Sequence, residues 1–166
     1  MFIDSGKINN MPQSIKAGDK LPLFSLPDEN NINISNTELT GTPLVIYFYP
    51  KNETTGCTRE ACSFRDHFQD FTDAGARVVG ISADSPESHR NFKINHRLPF
   101  TLLSDTGNKV RKLFGVPADL FGLIPGRVTY VFNPEGVLVH SFRSQLNTER
   151  HVTESLEIIK QMKHTP

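Results

Sequence analysis

Leu44-Val45-Ile46-Tyr47-Phe48-Tyr49 is an unbroken run of apolar and aromatic residues. A strand with one wet face alternates apolar and polar residues; a run without alternation must be covered on both faces. The run therefore predicts a central strand with layers packed above and below it. Gly41-Thr42-Pro43 turns into it and Pro50 stops it. The period then changes. Cys57, Ala61, Phe64, Phe68 and Phe71 follow at spacings of four, three, four and three, which is one face of a helix. That helix is predicted from near Cys57 to about Ala74, with Gly75 ending it.

The rest of the chain repeats the alternation. Phe24-Ser25-Leu26 and Ile32-Asn33-Ile34 flank a polar turn and predict a short hairpin. Arg77 to Ser82 reads as a second buried strand. Ser85 is a helix N-cap with Pro86 at the first helical position, for a helix to about Asn95. Phe100 to Leu103 is a short strand and Asn108 to Phe114 a short helix. Gly115 to Gly126 is a loop punctuated by Gly and Pro. Arg127 opens the strand Val128–Phe132, which turns through Asn133-Pro134-Glu135-Gly136 into Val137–Phe142. A last helix, about Thr148 to Met162, puts Val152, Leu156 and Ile159 on one face. Strands alternating with helices, then a hairpin, predict an α/β fold: a central mixed β-sheet flanked by helices, with an N-terminal hairpin extension.

The length of 166 residues suits one domain with its own core. The expected boundaries are a mobile tail over 1–16, a single domain over 17–162 and a C-terminal tail over 163–166. Met11 leaves open a shorter natural start. Eighteen basic and eighteen acidic residues cancel without blocks of one sign, so nucleic acid and anionic membranes are not expected partners. The longest apolar run is too short to span a bilayer. Residues 1–16 show no signal-peptide core and few arginines, which leads to the expectation of a cytoplasmic protein.

Two cysteines in a domain of this size do not make a disulfide framework; a close pair points to redox catalysis or metal binding. Cys57 lies in the predicted first helical turn, where the dipole and free N–H groups favour a thiolate. On the apolar face a lone cysteine reads first as a small buried hydrophobe. A disulfide oxidoreductase would show C-x-x-C, whereas the spacing here is C-x-x-x-x-C. The histidines at 67, 89, 96, 140, 151 and 164 form no zinc pattern and read as solvated or partly packed side chains. No metal and no other cofactor is expected.

Pro50-x-x-x-Thr54-x-x-Cys57 resembles the active-site motif of the peroxiredoxins. Cys57-Thr58-Arg59-Glu60-Ala61-Cys62, continuing into Phe64-Arg65-Asp66, is similar to their bacterioferritin-comigratory, or Q-type, branch. The resemblance covers most of residues 17–162 and implies a thioredoxin-like fold. It departs at Thr55, where the branch usually has proline; the change removes no catalytic group.

The resemblance implies a thiol peroxidase acting on hydrogen peroxide and organic hydroperoxides. Cys57 would be the peroxidatic cysteine and Cys62 the resolving one. Thr54 would hydrogen-bond the peroxide, Arg127 would lie beside thiolate and peroxide, and Pro50 would shield the pocket. Gly56 would let the backbone approach a bound oxygen, and Glu60 would orient the arginine. It also implies a thioredoxin-like dithiol as reductant, and the lack of the Val-Cys-Pro arm of ring-forming relatives suggests a monomer. A peroxide-responsive redox sensor is the alternative. In an intact helix the Cα atoms of Cys57 and Cys62 would stand roughly 8.5 Å apart and be rotated by roughly 140°. A disulfide needs about 7 Å or less and facing Cβ vectors. The first turns of the helix are therefore expected to unwind when the pair oxidises.

Overall fold

The computed structural model describes residues 13–163. The predicted tails over 1–16 and 163–166 lie outside it, apart from Gln13–Lys16 and Lys163. In chain order the elements begin with β1 (Ser25–Pro27), β2 (Asn33–Ser35), a short 3-10 turn (Asn36–Leu39) and β3 (Leu44–Phe48). There follow α1 (Thr55–Asp66), α2 (Phe68–Asp73), β4 (Arg77–Ser82), α3 (Pro86–His96), β5 (Thr101–Ser104) and α4 (Lys109–Phe114). The chain closes with β6 (Ala118–Asp119), β7 (Ile124–Pro125), β8 (Val128–Phe132), β9 (Leu138–Arg143) and α5 (Thr148–Lys163).

The central sheet has five strands in the order β5–β4–β3–β8–β9. β3 is buried at every position, as its unbroken apolar run requires. Its pairing with β4 is parallel and with β8 antiparallel, so the sheet is mixed. Alternate residues of β3, with Tyr49 just after it, feed two cores. Val45, Tyr47 and Tyr49 join Cys57, Ala61, Phe64, Phe71, Phe92, Val152 and Ile159, packed under α1, α2, α3 and α5. Leu44, Ile46 and Phe48 join Phe114, Tyr130 and Phe132, packed under α4 and the N-terminal segment. This is the three-layer sandwich expected of the strand's composition, and it is thioredoxin-like.

The N-terminal hairpin forms one residue later than predicted, with Leu26 opposite Ile34. The Asp28 carboxylate closes its turn by accepting from Asn30 and Ile32 N–H, and Asn31 takes a positive φ of 60°. Ahead of it, the Ile15 N–H donates to the Phe114 carbonyl at 3.0 Å, so the ordered chain begins before residue 17.

Two expectations are corrected. The single helix predicted from Cys57 to Ala74 is two helices, separated at His67 with φ −101° and ψ 5°. There the ring Nδ1 lies 2.9 Å from the Ser63 carbonyl, the same acceptor the main chain needs. A side chain competing for that acceptor weakens the helical ladder. The segment Gly115–Gly126, expected as a loop, contains the small β6–β7 hairpin. Its closure depends on Gly126: a Cβ there would stand 1.8 Å from the Pro117 carbonyl oxygen.

Candidate active site

The sheet register builds the site. Phe48 pairs with Val128, so the chain leaving the C-terminal end of β3 faces Arg127 at the opening of β8. Arg111 ties these two segments together from α4, donating to the Tyr49 carbonyl at 2.9 Å and the Gly126 carbonyl at 2.7 Å. Its guanidinium also lies over the Phe48 ring. Nothing in the sequence marks Arg111, which reads as an ordinary cation of a short helix.

Between β3 and α1 the chain is held by Asn52. Its N–H donates to Asp84, and its side-chain amide donates to Ser88 Oγ and to His89 Nδ1 at 3.0 Å. The Tyr49 hydroxyl donates to Asn52 Oδ1 at 2.6 Å. His89 donates from Nε2 to the Leu103 carbonyl, which leaves Nδ1 as the acceptor. Burial holds this imidazole below its ordinary pKa. Glu53 follows in a left-handed conformation, φ 63°, and pairs with His96 and Asn95 at the end of α3. Those donors hold its carboxyl below the usual range.

α1 therefore starts from a fixed base. Thr54 is its N-cap residue, with φ −81° and ψ 152°. The Thr54 hydroxyl donates to the Lys51 carbonyl at 2.8 Å. It is exposed, and its proton is committed to that bond. Pro50 is half-buried where β3 ends.

Cys57, in the first turn of α1, is 1% exposed. Arg127 Nη2 donates to its sulfur at 3.3 Å, and Nη1 donates to Glu60 Oε1 at 2.9 Å. One planar guanidinium thus spans two residues a helical turn apart. Gly56 makes room for it, because a Cβ at that position would lie 3.0 Å from Nη2. Glu60 is fully buried, and burial outweighs the arginine to push its carboxyl up to about 7. Behind Glu60 lies His151 of α5. His89 and His151, expected to be solvated or partly packed, are instead completely buried. The signal is present in the chain: His151, Ser155 and Ile159 recur at helical spacing on the buried face of α5.

Cys62, on the same helix, is half-buried in a shallow groove with Arg59, Ser63, Asp66 and Thr148. Both thiols are free, and α1 is continuous through residue 62. The geometry concentrates a thiol, a guanidinium and helix N–H groups at one buried point. Such a point stabilises a thiolate and the charge that develops on an oxygen it attacks. Among the described residues no group of His, Cys, Asp and Glu is placed to hold a metal ion. No helix among them is long and apolar enough to cross a membrane.

Comparison with known proteins converges on the same chemistry. Residues 17–141 match the AhpC/TSA family. The chain is 47% identical over 154 residues to a chloroplastic peroxiredoxin Q of Populus jackii, covering 93% of this chain and 72% of that one. The structure superposes on the peroxidoxin BcpB of Mycobacterium tuberculosis with a TM-score of 0.82 at 32% identity, covering 89% and 98% of the two chains. It matches the bacterioferritin comigratory protein of Xanthomonas campestris with a TM-score of 0.78 at 30% identity, covering 87% and 99%. The expected cytoplasmic location does not stand, since the curated relatives are named chloroplastic and point to a plastid. The chain belongs to the AhpC/TSA family, on its peroxiredoxin Q side, and is a thiol peroxidase.

Proposed function

We propose that Cys57 is the peroxidatic cysteine and Cys62 its resolving partner, in reduction of hydrogen peroxide and organic hydroperoxides. The observation that carries this reading is the Arg127 guanidinium, 3.3 Å from the Cys57 sulfur and fixed on its other arm by Glu60. The Cys57 thiolate attacks the terminal peroxide oxygen. The O–O bond breaks, its electron pair leaves on the second oxygen, and that oxygen takes a proton to become water or an alcohol. Cys57 is left as a sulfenic acid. A thiolate of ordinary pKa is already a few per cent populated at neutral pH, so deprotonation alone gains at most roughly fiftyfold. The remaining acceleration falls to groups that meet charge on the leaving oxygen: Arg127, the first N–H groups of α1, and Thr54 once it leaves Lys51.

Cys62 then attacks the sulfenic sulfur, an S–S bond forms, and water departs. A thioredoxin-like dithiol reduces this bond by exchange and becomes the disulfide itself. The family supports a donor of this type, and an intramolecular disulfide is the product it would reduce. Both cysteines lie on α1, so the cycle needs no second copy, and the chain is read as a working monomer, to be checked by sedimentation. The bacterioferritin comigratory protein of Xanthomonas campestris has alkyl peroxide reduction activity, which supports organic hydroperoxides as a substrate class here.

The test is a coupled assay with thioredoxin and thioredoxin reductase on wild type, Cys57→Ser and Cys62→Ser. Wild type is expected to turn over many times and Cys57→Ser not at all. Cys62→Ser should consume one equivalent of peroxide and stop. Unchanged turnover by Cys57→Ser would sink the assignment, and unchanged turnover by Cys62→Ser would move resolution to an external thiol.

A further inference from the structure

Glu60 carries an anomaly. Its Oε1 accepts from Arg127, but its Oε2 is buried without a hydrogen-bond partner, and so is Arg127 Nε. The atom facing Oε2 is His151 Nδ1, 3.6 Å away, with both side chains fully buried. The tautomer of His151 follows from its neighbours. Nε2 lies 2.7 Å from the Ser144 carbonyl, which can only accept, so Nε2 carries the proton. Nδ1 therefore presents a lone pair, and the Thr129 hydroxyl lies 2.8 Å from it. A carboxylate oxygen and a nitrogen that cannot donate to it face each other in a dry site. The Thr129 hydroxyl satisfies Nδ1, whereas Oε2 has no donor, so protonating the carboxyl removes a charge that nothing there offsets.

We propose that His151 is a positioning residue for Cys57: across the buried Glu60 it sets how the Arg127 guanidinium is divided between the carboxyl and the sulfur.

Two potential anions, Cys57 and Glu60, compete for one cation. With a proton on the Glu60 carboxyl, whose Oε2 faces His151, the carboxyl is neutral and the guanidinium charge belongs to the Cys57 thiolate. When that proton is lost, Glu60 becomes a second anion and draws the guanidinium toward itself. The Thr129 hydroxyl keeps Nδ1 satisfied and His151 neutral beside it. Burial favours the neutral form of each partner, with Glu60 pushed up to about 7 and His151 down to about 4. The other groups acting on the pair come from every side. Tyr47 of β3 and Tyr49 just after it act on Glu60, and Tyr47 has a buried hydroxyl without a partner. Arg127 and Glu154 act on His151, and the Phe142 ring closes its far side. None of these supplies Oε2 with a hydrogen bond; burial and Arg127 set the charge of the carboxyl, and His151 is the ring that its unpaired oxygen faces.

The inference rests on Cys57 being the attacking thiol, and its test does not use turnover. In reduced full-length protein, iodoacetamide alkylation of Cys57 is followed by mass spectrometry from pH 5 to 9, resolved from Cys62 by peptide. Wild type is expected to show two steps and Glu60→Gln one. His151→Asn, which offers Oε2 an amide donor, should move the step that Glu60→Gln removes by about half a unit or more, and should change nothing in the Glu60→Gln background. The histidine ring nitrogens of 15N-labelled wild type supply a second readout that needs no substitution at 151. The His151 signals should shift with that same step, and this movement should vanish in Glu60→Gln. A single-step profile in wild type, immobile His151 signals, or equal effects of His151→Asn in both backgrounds would each overturn the proposal. A peroxidase-active Cys57→Ser would instead overturn the assignment beneath it.

Discussion

Gly56 and Arg127 meet so closely that a Cβ on the glycine would stand 3.0 Å from the guanidinium Nη2. The same nitrogen donates to the Cys57 sulfur, and its twin is fixed on Glu60. The arginine therefore has little freedom to retreat. Gly56→Ala is expected to strengthen α1 by about 0.5–1 kcal/mol through helix propensity. It should nevertheless lower kcat/KM for peroxide about tenfold by displacing Nη2. Thermal denaturation and stopped-flow peroxide kinetics on one preparation check both signs, and a faster or unchanged enzyme would show that the contact is slack.

Arg127→Lys keeps the charge and loses the fork. A lysine can meet the sulfur or Glu60, but not both as a planar pair. The kcat/KM is expected to fall by about 10²- to 10³-fold, the cost typical of removing one aimed donor. The fold should persist, as judged by circular dichroism.

Thr55 is the first residue of α1, and Thr54 before it already has the extended backbone that a following proline demands. Thr55→Pro is accordingly expected to stabilise the reduced protein by about 0.5–1 kcal/mol. If α1 must open for Cys62 to reach Cys57, the same change slows disulfide formation by about two- to fivefold, while the first oxidation of Cys57 keeps its rate. Rapid-quench trapping of the sulfenic acid separates the two steps.

Glu60 gives a pH dependence with a definite sign. Its carboxyl is pushed up from an ordinary 4.5 to about 7 in the folded chain. Below pH 4.5 folded and unfolded forms are both protonated. Between about 4.5 and 7 the unfolded form alone ionises, so stability is lost as pH rises through this window. Glu60→Gln removes that slope. Relative to wild type, it should gain on the order of 1–3 kcal/mol between pH 5 and pH 8 in urea denaturation. Parallel curves for the two proteins would refute the shift.

Arg111 joins the Tyr49 and Gly126 carbonyls across the floor of the site. Arg111→Met keeps the apolar stem over Phe48 but leaves two buried carbonyls unpaired, at about 1–3 kcal/mol each. Loss of stability and loss of peroxidase rate should both appear, because Arg127 follows Gly126 directly. Retention of full activity in the folded variant would separate the floor from the chemistry.

Much of this is legible in the chain. β3 announces itself because an unbroken apolar run has one structural solution, and Cys57 because a thiol begins the helical period that follows. Arg127 stands out through the family resemblance alone; by itself it reads as a surface cation after a loop. What stays hidden depends on long-range contact. Asn52, His89 and Arg111 are ordinary polar residues until the fold buries them against partners as far as 37 and 62 positions away. The break at His67 reflects one ring finding one carbonyl. The hairpin inside Gly115–Gly126 consists of two-residue strands, too short for any alternation to be read. The compartment is not legible at all, because the composition of a folded domain does not record it.

The break at His67 also draws a boundary. α2 beyond it is anchored by the buried Phe71, and just before it Phe64 stacks on Tyr47 at 4.5 Å. Withdrawing a buried phenylalanine forfeits about 1.5–3 kcal/mol. Any opening of α1 that brings Cys62 to Cys57 thus meets a stop at Phe64 before it reaches α2. Oxidation and reduction would then shuttle a segment of fixed length, from Thr55 to Ser63, over a floor that never melts. Amide hydrogens within that segment should exchange at different rates in the two redox states, and those of α2 at the same rate in both.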